Sequence, residues 1–228
     1  MISIRSKEKI ILEILEKKQV NNKRILQALV GTPRELFYEG NNKNNSYRST
    51  ANKYYGSWLL SDIEYLVDIL SNIDLHRHKT VLEIGSGNGY VLAVLSKLFD
   101  EVYGIEIDDN SDNECWTNLD SLGIVNVLTK KSDGYYGYDN DMKFDIIIVN
   151  CGMSFVPPLL LDQLKMEGVI IIPLGNLNLY PDRCQSLTKI IKSEHNNIET
   201  KISDVFVTPM VGDIEKIAAK LSHGGNSH

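Results

Sequence analysis

Residues 81–90, VLEIGSGNGY, decide how the rest of this chain is read. An apolar segment carrying one acid, Glu83, runs into Gly85-x-Gly87-x-Gly89, and a helical pattern opens directly beyond it. Glycines tolerate the backbone angles such a turn needs and let the main chain approach a ligand closely. At the carboxyl end of a strand, this arrangement holds a nucleotide-like ligand. The dinucleotide pattern Gly-x-Gly-x-x-Gly asks for a third glycine at position 90, where small size lets helix and strand pack. Tyr90 is too bulky for that role, which argues against a nicotinamide cofactor. Taken alone, the turn also has a plainer reading as a tight strand-to-helix connection.

Outward from the turn, strands and helices alternate. Strands are expected at 79–85, 101–107, 125–131, 143–149 and 168–174, with helices at 89–99, 113–122 and 157–164. Apolar strands separated by helices imply an α/β fold, a doubly wound parallel sheet covered on both faces. Two further strands, 186–192 and 200–209, are joined by the polar turn SEHNN and add an antiparallel C-terminal extension. Upstream, helical spacing marks 5–17 and 21–30, the second capped by Asn21 or Asn22. Pro33 sits at a first-turn position of a short helix in GTPRELF, and Ser61 is the expected N-cap of a helix over 61–73. Residues 38–57 are polar, with five asparagines and no clear period, a long loop of the functional or mobile kind. The chain is organised as N-terminal helices and loop (1–75), an α/β core with its C-terminal strands (76–212) and a tail (213–228), all in one structural domain.

Hydrophobic residues make up 43% of the 228 and charged residues 24%, as in an ordinary globular protein. The apolar run GVIIIPLG (168–175) is far short of a membrane span. The amphipathic N-terminus interleaves charges with Ile and Leu, unlike a secretion signal, and is expected to dock on its own domain with no membrane partner. A net charge of −6 leaves no broad basic surface for a phosphate backbone, so no nucleic-acid partner is expected. Cys115, Cys151 and Cys184 are odd in number and lack metal spacing, which fits a reducing cytoplasm. His76 and His78 have no third ligand in view, and no metal is expected. A monomer is expected.

VYGIEID (102–108) places Glu106 about twenty residues beyond the turn, where an acid accepts hydrogen bonds from both ribose hydroxyls of a nucleoside; capping the next helix is the alternative. The spacing Gly-x-Gly-x-Gly after an acid resembles motif I of class I S-adenosylmethionine-dependent methyltransferases. Asp133-Gly134 in SDGYYG (132–137) resembles the position where those enzymes read the adenine ring. Segments outside these motifs narrow the likeness. NNKRILQALVGTPRELF (21–37), LEIGSGNGY (82–90), FDIIIVNCGMSFVP (144–157), LLLDQLKMEGVIIIPLG (159–175) and VFVTPMVG (205–212) resemble, in order, the segments of protein-L-isoaspartate O-methyltransferases. The likeness runs over about residues 20–212 and implies their Rossmann-like class I sheet.

The resemblance implies methyl transfer from S-adenosyl-L-methionine to a carboxylate, isoaspartyl or aspartyl, of a peptide or protein, leaving S-adenosyl-L-homocysteine. It implies a cofactor site of Glu83, Gly85, Ser86, Gly87, Gly89, Glu106, Ile107, Asp133, Gly134 and Asn150. An acceptor carboxylate has a solution pKa of about 4 and is ionised at neutral pH, so no strong base is required. Alignment of nucleophile and methyl group carries the chemistry, at the limit by about 7–11 kcal/mol.

The likeness frays on the acceptor side. Ser61 falls on the family's substrate-motif serine and is the catalytic candidate, yet Leu59, Leu60 and Ile63 replace Thr, Ile and Pro around it. Asn150-Cys151-Gly152-Met153 replaces a Thr/Gly-Ala-Ala loop, and Val207-Thr208-Pro209 replaces Phe-Val-Pro. Acceptor contacts are therefore expected from Leu59, Leu60, Ser61, Met153, Val207 and Thr208. Asn150 bonds the methionine portion of the cofactor or the acceptor, or simply turns the chain. Cys151 reads as a small buried filler, since nothing near it in sequence lowers a thiol pKa. These departures suggest a narrowed acceptor, such as an aspartate in one dedicated peptide. A nucleic-acid or small-molecule methyltransferase and a non-catalytic cofactor binder are the remaining alternatives.

Overall fold

The computed structural model describes residues 4–38, 46–47, 62–76, 78–139, 141–176 and 184–213. Leu59, Leu60, Ser61, most of the long polar loop and the 221–228 tail lie outside the described residues.

The expected strands form as β1 (Thr80–Ile84), β2 (Glu101–Glu106), β3 (Val127–Lys131), β4 (Phe144–Val149), β5 (Leu164–Leu174), β6 (Gln185–Ile191) and β7 (Ile198–Val205). They lie in one sheet of order β3-β2-β1-β4-β5-β6-β7. The first five run parallel, while β5–β6 and β6–β7 pair antiparallel. β1 pairs with both β2 and β4, so strand order reverses there. Connections after β1 and β4 leave to opposite sides, opening a crevice at the carboxyl ends of these strands where ligands settle. The glycine turn and the 150–153 loop both lie at that point.

Among the described residues six α-helices complete the layers: α1 (Ile4–Lys17), α2 (Lys23–Val30), α3 (Ile63–Ser71), α4 (Tyr90–Leu95), α5 (Asp109–Ser121) and α6 (Pro158–Gln163). Alternation along β1 sends Val81 into one apolar cluster with residues of α1 to α5, and Leu82 and Ile84 into another with Leu160 and Phe144. Both faces of the sheet are thus covered, as the apolar strands require.

Several boundaries differ from the sequence expectation, each for a local reason. Asp62, not Ser61, caps α3, its carboxylate accepting from the Glu64 N–H at 3.1 Å. α5 starts at Asp109, four residues early, because Asp108 accepts from the Ser111 N–H at 2.9 Å. Pro33 is the cap of a 3-10 turn over Arg34–Phe37, one place outside the first turn. β5 begins at Leu164 because Leu164 already pairs with Phe144, and the ladder is irregular before Val169, where Glu167 takes a positive φ of 61°. Asn22 caps α2 as expected, accepting from the Arg24 N–H at 2.9 Å.

The N-terminal helices grip the sheet through Tyr90. Arg34 is 1% exposed, with its guanidinium carbon 4.5 Å from the centre of the Tyr90 ring and 5.5 Å from that of Tyr38. Its Nε donates to the Ser46 carbonyl at 2.7 Å. Phe37 meets Tyr90 edge to face at 5.3 Å between ring centres, a favoured aromatic geometry. The side chain that displaces a third glycine from the turn is therefore the anchor for the preceding segment.

Candidate cofactor and acceptor site

Three positive φ angles shape the turn: 78° at Gly85, 53° at Gly87 and 86° at Gly89. L side chains avoid this region, which accounts for three glycines in five residues. The turn is pinned to β2 by Gly85 and Ser86, whose N–H groups donate to the Ile105 carbonyl at 2.9 and 3.1 Å. Asn88 is held on both sides, donating to the Phe37 carbonyl and accepting from Asn118 Nδ2, each at 2.9 Å. Beneath Gly89 lies Cys115, whose sulfur would stand 2.7 Å from any Cβ there. At Gly87 a Cβ would meet nothing within 4 Å, so this part of the turn faces open space.

Glu106 is 3% exposed at the end of β2 and does more than the sequence suggests. Its Oε2 accepts from the Gly87 N–H at 2.8 Å, and its Oε1 from the N–H groups of Ile107 and Asp108 at 2.8 and 3.0 Å. A carboxylate has roughly four acceptor positions, so three are taken and one remains, on Oε2. The expected pair of ribose contacts is reduced to one in this arrangement, because the acid also stitches β2 to the glycine turn. Asp133 is similarly engaged. Its Oδ1 accepts from the Tyr135 N–H at 2.9 Å and its Oδ2 from the Asp213 N–H at 2.8 Å. Gly134 packs on Ile84 with no room for a Cβ.

Glu83 is fully buried on β1. Burial, and then the nearby Glu106 charge, push its carboxyl pKa well above the ordinary 4.5, while a hydrogen bond from Asn150 opposes the rise. Asn150 Nδ2 donates to Glu83 Oε1, and the Asn150 N–H donates to the Ile84 carbonyl at 2.9 Å. Among the described residues, Glu83 Oε2 and Ser86 Oγ are buried with no hydrogen-bond partner. Two orphaned acceptors beside an open glycine turn suit a ligand bringing a cation and donors, since buried polar groups rarely go unpaired. S-adenosyl-L-methionine would fit this set: an ammonium for Glu83, one ribose hydroxyl for Glu106, and adenine for Asp133 and Gly134. Cys151 lies against Gly85, its thiol pushed up to about 12 by burial, which makes it a poor nucleophile.

The acceptor side is assembled from distant segments. Gly152 donates to the Thr208 carbonyl at 2.8 Å, and Met210 donates back to the Gly152 carbonyl at 2.9 Å. Gln185, 2% exposed, grips Val207 at both ends, accepting from its N–H at 3.1 Å and donating to its carbonyl at 3.3 Å. Val207 and Thr208 thus come to the crevice beside Asn150, with Thr208 exposed. Met153 does not offer its side chain to an acceptor. It is 0% exposed, packed in the cluster around Leu82 and Phe144, because its N–H and carbonyl bond to Pro173 and Gly175 and turn the side chain inward. Two residues escaped the sequence reading. Tyr65 reaches Asn150 across 85 positions of sequence, and Gln185 organises the C-terminal segment. Tyr65 falls within the helix expected over 61–73, where only its hydroxyl among apolar neighbours signals a polar role.

Among the described residues there is no cluster of three metal-ligating side chains, and no helix is long and apolar enough to cross a membrane.

With this geometry in place, comparison with known proteins gives a consistent picture. The family profile described as protein-L-isoaspartate(D-aspartate) O-methyltransferase matches residues 5–215. The chain is 32% identical over 210 residues to protein-L-isoaspartate O-methyltransferase 2 of Shewanella sediminis, covering 92% of this chain and 84% of that one. It is 33% identical over 196 residues to the corresponding enzyme of Vibrio campbellii, covering 86% and 91%. A solved protein-L-isoaspartate O-methyltransferase superposes with a TM-score of 0.80 at 25% identity, over 94% of this chain and 70% of that one. A Plasmodium falciparum structure described as the same kind of enzyme, in complex with S-adenosyl-L-homocysteine, has a TM-score of 0.73 at 19% identity, over 90% and 98%.

Proposed function

The chain belongs to the protein-L-isoaspartate(D-aspartate) O-methyltransferase family and is an S-adenosyl-L-methionine-dependent carboxyl methyltransferase acting on proteins, and from that premise we propose how its own residues do the work. The single observation that carries the reading is the buried, half-unpaired Glu83 beside a glycine turn with open space at Gly87. S-adenosyl-L-methionine, when bound, supplies a methyl group on a positively charged sulfur. Glu83 Oε2 would hold its α-ammonium and Glu106 Oε2 a ribose hydroxyl. Ser86 Oγ, Ile107, Asp133, Gly134 and Asn150 complete the surround. The acceptor is a carboxylate already ionised at neutral pH, so no residue has to remove a proton, and the protein's task is alignment and exclusion of water.

For the acceptor we propose the free carboxylate of an isoaspartyl residue, met by Ser61, Leu59, Leu60, Val207 and Thr208. The departures at Leu59, Leu60, Asn150 and Val207–Pro209 favour a second reading, an aspartate in one dedicated peptide. Labelled methyl transfer to an isoaspartyl peptide and to its aspartyl twin separates the two. Turnover of varied isoaspartyl peptides alone defeats the dedicated-peptide reading, and turnover of neither defeats both. In the same assay, Ser61→Ala is expected to lower transfer without altering cofactor affinity. That follows because Asp62, not Ser61, caps α3, so the serine is not needed to start the helix. We further propose a monomer working in a reducing cytoplasm. Both sides of the crevice come from one chain, and Cys115, Cys151 and Cys184 are all free thiols.

The raised pKa of Glu83 makes cofactor binding depend on pH, with a defined sign. Between the ordinary 4.5 and its raised value, the folded protein holds a proton that the unfolded chain has lost. This group's contribution to stability therefore falls as pH rises through that window. An ammonium beside Glu83 favours the ionised form and removes that penalty. Thermal stabilisation by S-adenosyl-L-homocysteine is thus expected to grow as pH rises above 4.5, with proton release on binding. Titration calorimetry in two buffers of different ionisation enthalpy measures the release. A flat profile with no proton exchange would show that Glu83 meets no cation.

A further inference from the structure

Tyr65 lies on α3, 8% exposed, with its hydroxyl aimed at the carboxyl end of β4. That hydroxyl is 3.2 Å from Asn150 Oδ1 and 3.4 Å from the Val149 carbonyl, so its one proton is shared, with the shorter contact to Asn150. Burial raises its pKa far above the usual phenol value, with smaller contributions from Cys151 and Glu83, and it stays a neutral donor. Tyr65, Asn150 and Glu83 therefore form a continuous chain from helix α3 through the end of β4 to β1.

A side-chain amide has a donor end and an acceptor end, and its flip is settled by its neighbours. With the oxygen toward Tyr65, the amide's NH₂ faces Glu83 and occupies Oε1. Once an ammonium has ionised Glu83, a reversed amide would set its oxygen against a carboxylate oxygen, and its NH₂ would meet a hydroxyl whose proton must then turn toward Val149. Oε1 being occupied leaves Oε2 as the acceptor of Glu83 with no partner among the described residues.

We infer that Tyr65 is a positioning residue for cofactor binding: its hydroxyl sets the Asn150 amide so that Glu83 presents Oε2 to the α-ammonium of S-adenosyl-L-methionine. This rests on the assignment of Glu83 above and adds a residue that touches neither cofactor nor acceptor. It also gives α3 a role. The helix that follows directly on the segment carrying Ser61 is tied by one hydrogen bond to the group that orients the methionine end of the cofactor.

The test compares two probes by calorimetry: S-adenosyl-L-homocysteine, which carries the ammonium, and methylthioadenosine, which lacks the amino-acid portion. Tyr65→Phe keeps the ring in the core and removes only the hydroxyl. Its affinity for S-adenosyl-L-homocysteine is expected to fall ~3- to 10-fold, with methylthioadenosine binding unchanged. In an Asn150→Ala background the same substitution should cost nothing more, because the group it orients is gone. Equal loss for both probes, no loss for either, or a full loss persisting in the Asn150→Ala background overturns the inference. Should Tyr65→Phe fail to fold, Asn150→Ala alone must still weaken S-adenosyl-L-homocysteine selectively, and its failure to do so has the same meaning. If the parent protein binds both probes equally, the fault lies earlier, in the assignment of Glu83 to the ammonium.

Discussion

Glu106→Ala is expected to lower affinity for S-adenosyl-L-homocysteine by on the order of a hundredfold and to loosen the glycine turn at the same time. The carboxylate accepts three backbone N–H groups, from Gly87, Ile107 and Asp108. Hydrogen bonds to a charged group contribute ~1.5–3 kcal/mol each, and donors left buried without partners add their own cost. The substitution therefore removes a ribose acceptor and also the bond that holds Gly87 in place before the cofactor arrives. Glu106→Gln separates the two losses. Glutamine keeps one acceptor oxygen, enough for the Ile107 and Asp108 N–H groups, and then turns its NH₂ toward the Gly87 N–H, donor against donor. An intermediate loss is expected, with most of the melting temperature retained. Titration calorimetry with parallel melting curves measures both, and an alanine variant binding within about threefold of the parent would remove Glu106 from the site.

The second large effect is a contrast between two glycines in the same turn. Gly89→Ala forces a Cβ to 2.7 Å from the Cys115 sulfur and 3.4 Å from its Cα, at a φ of 86°. Left-handed strain of about 1–2 kcal/mol and overpacking of about 1–3 kcal/mol combine in a buried spot. A fall in melting temperature of roughly 5–15 °C is expected for a chain of this size. Gly87→Ala carries the same kind of strain at a φ of 53° but meets no atom within 4 Å. Its melting temperature should drop by only a few degrees, about 1–2 kcal/mol. Its cofactor affinity should fall about tenfold or more, since the methyl group fills the space a ligand would use. One glycine is kept for folding, the other for binding. If Gly87→Ala binds normally, the open space beside it is not the cofactor's.

The strand pattern around 81–90 was legible because parallel strands buried on both faces must be apolar throughout, and helices between them must follow the 3.6-residue period. The three glycines were equally plain, since a positive φ selects them in sequence as well as in space. Boundaries were less legible. Asp62 and Asp108 each sit beside an equally suitable polar neighbour, and the cap is decided by which side chain meets the free N–H groups of the first turn. Met153 misled for a similar reason: a loop residue next to a functional asparagine reads as exposed until its backbone is seen bonded to Pro173 and Gly175.

By itself, the sequence determined the α/β class, the glycine turn at the end of β1 and the family, because each is written in local spacing or in segments a few residues long. The tertiary structure alone decided how the cofactor acids are wired. Glu106 spends most of its acceptor capacity on backbone, Glu83 has one oxygen bonded and one with no partner among the described residues, and Tyr65 meets Asn150 from 85 positions away. Hydrogen bonds have direction and a fixed number of partners. Which partner each atom takes is settled only when the fold brings distant segments within about 3 Å of one another.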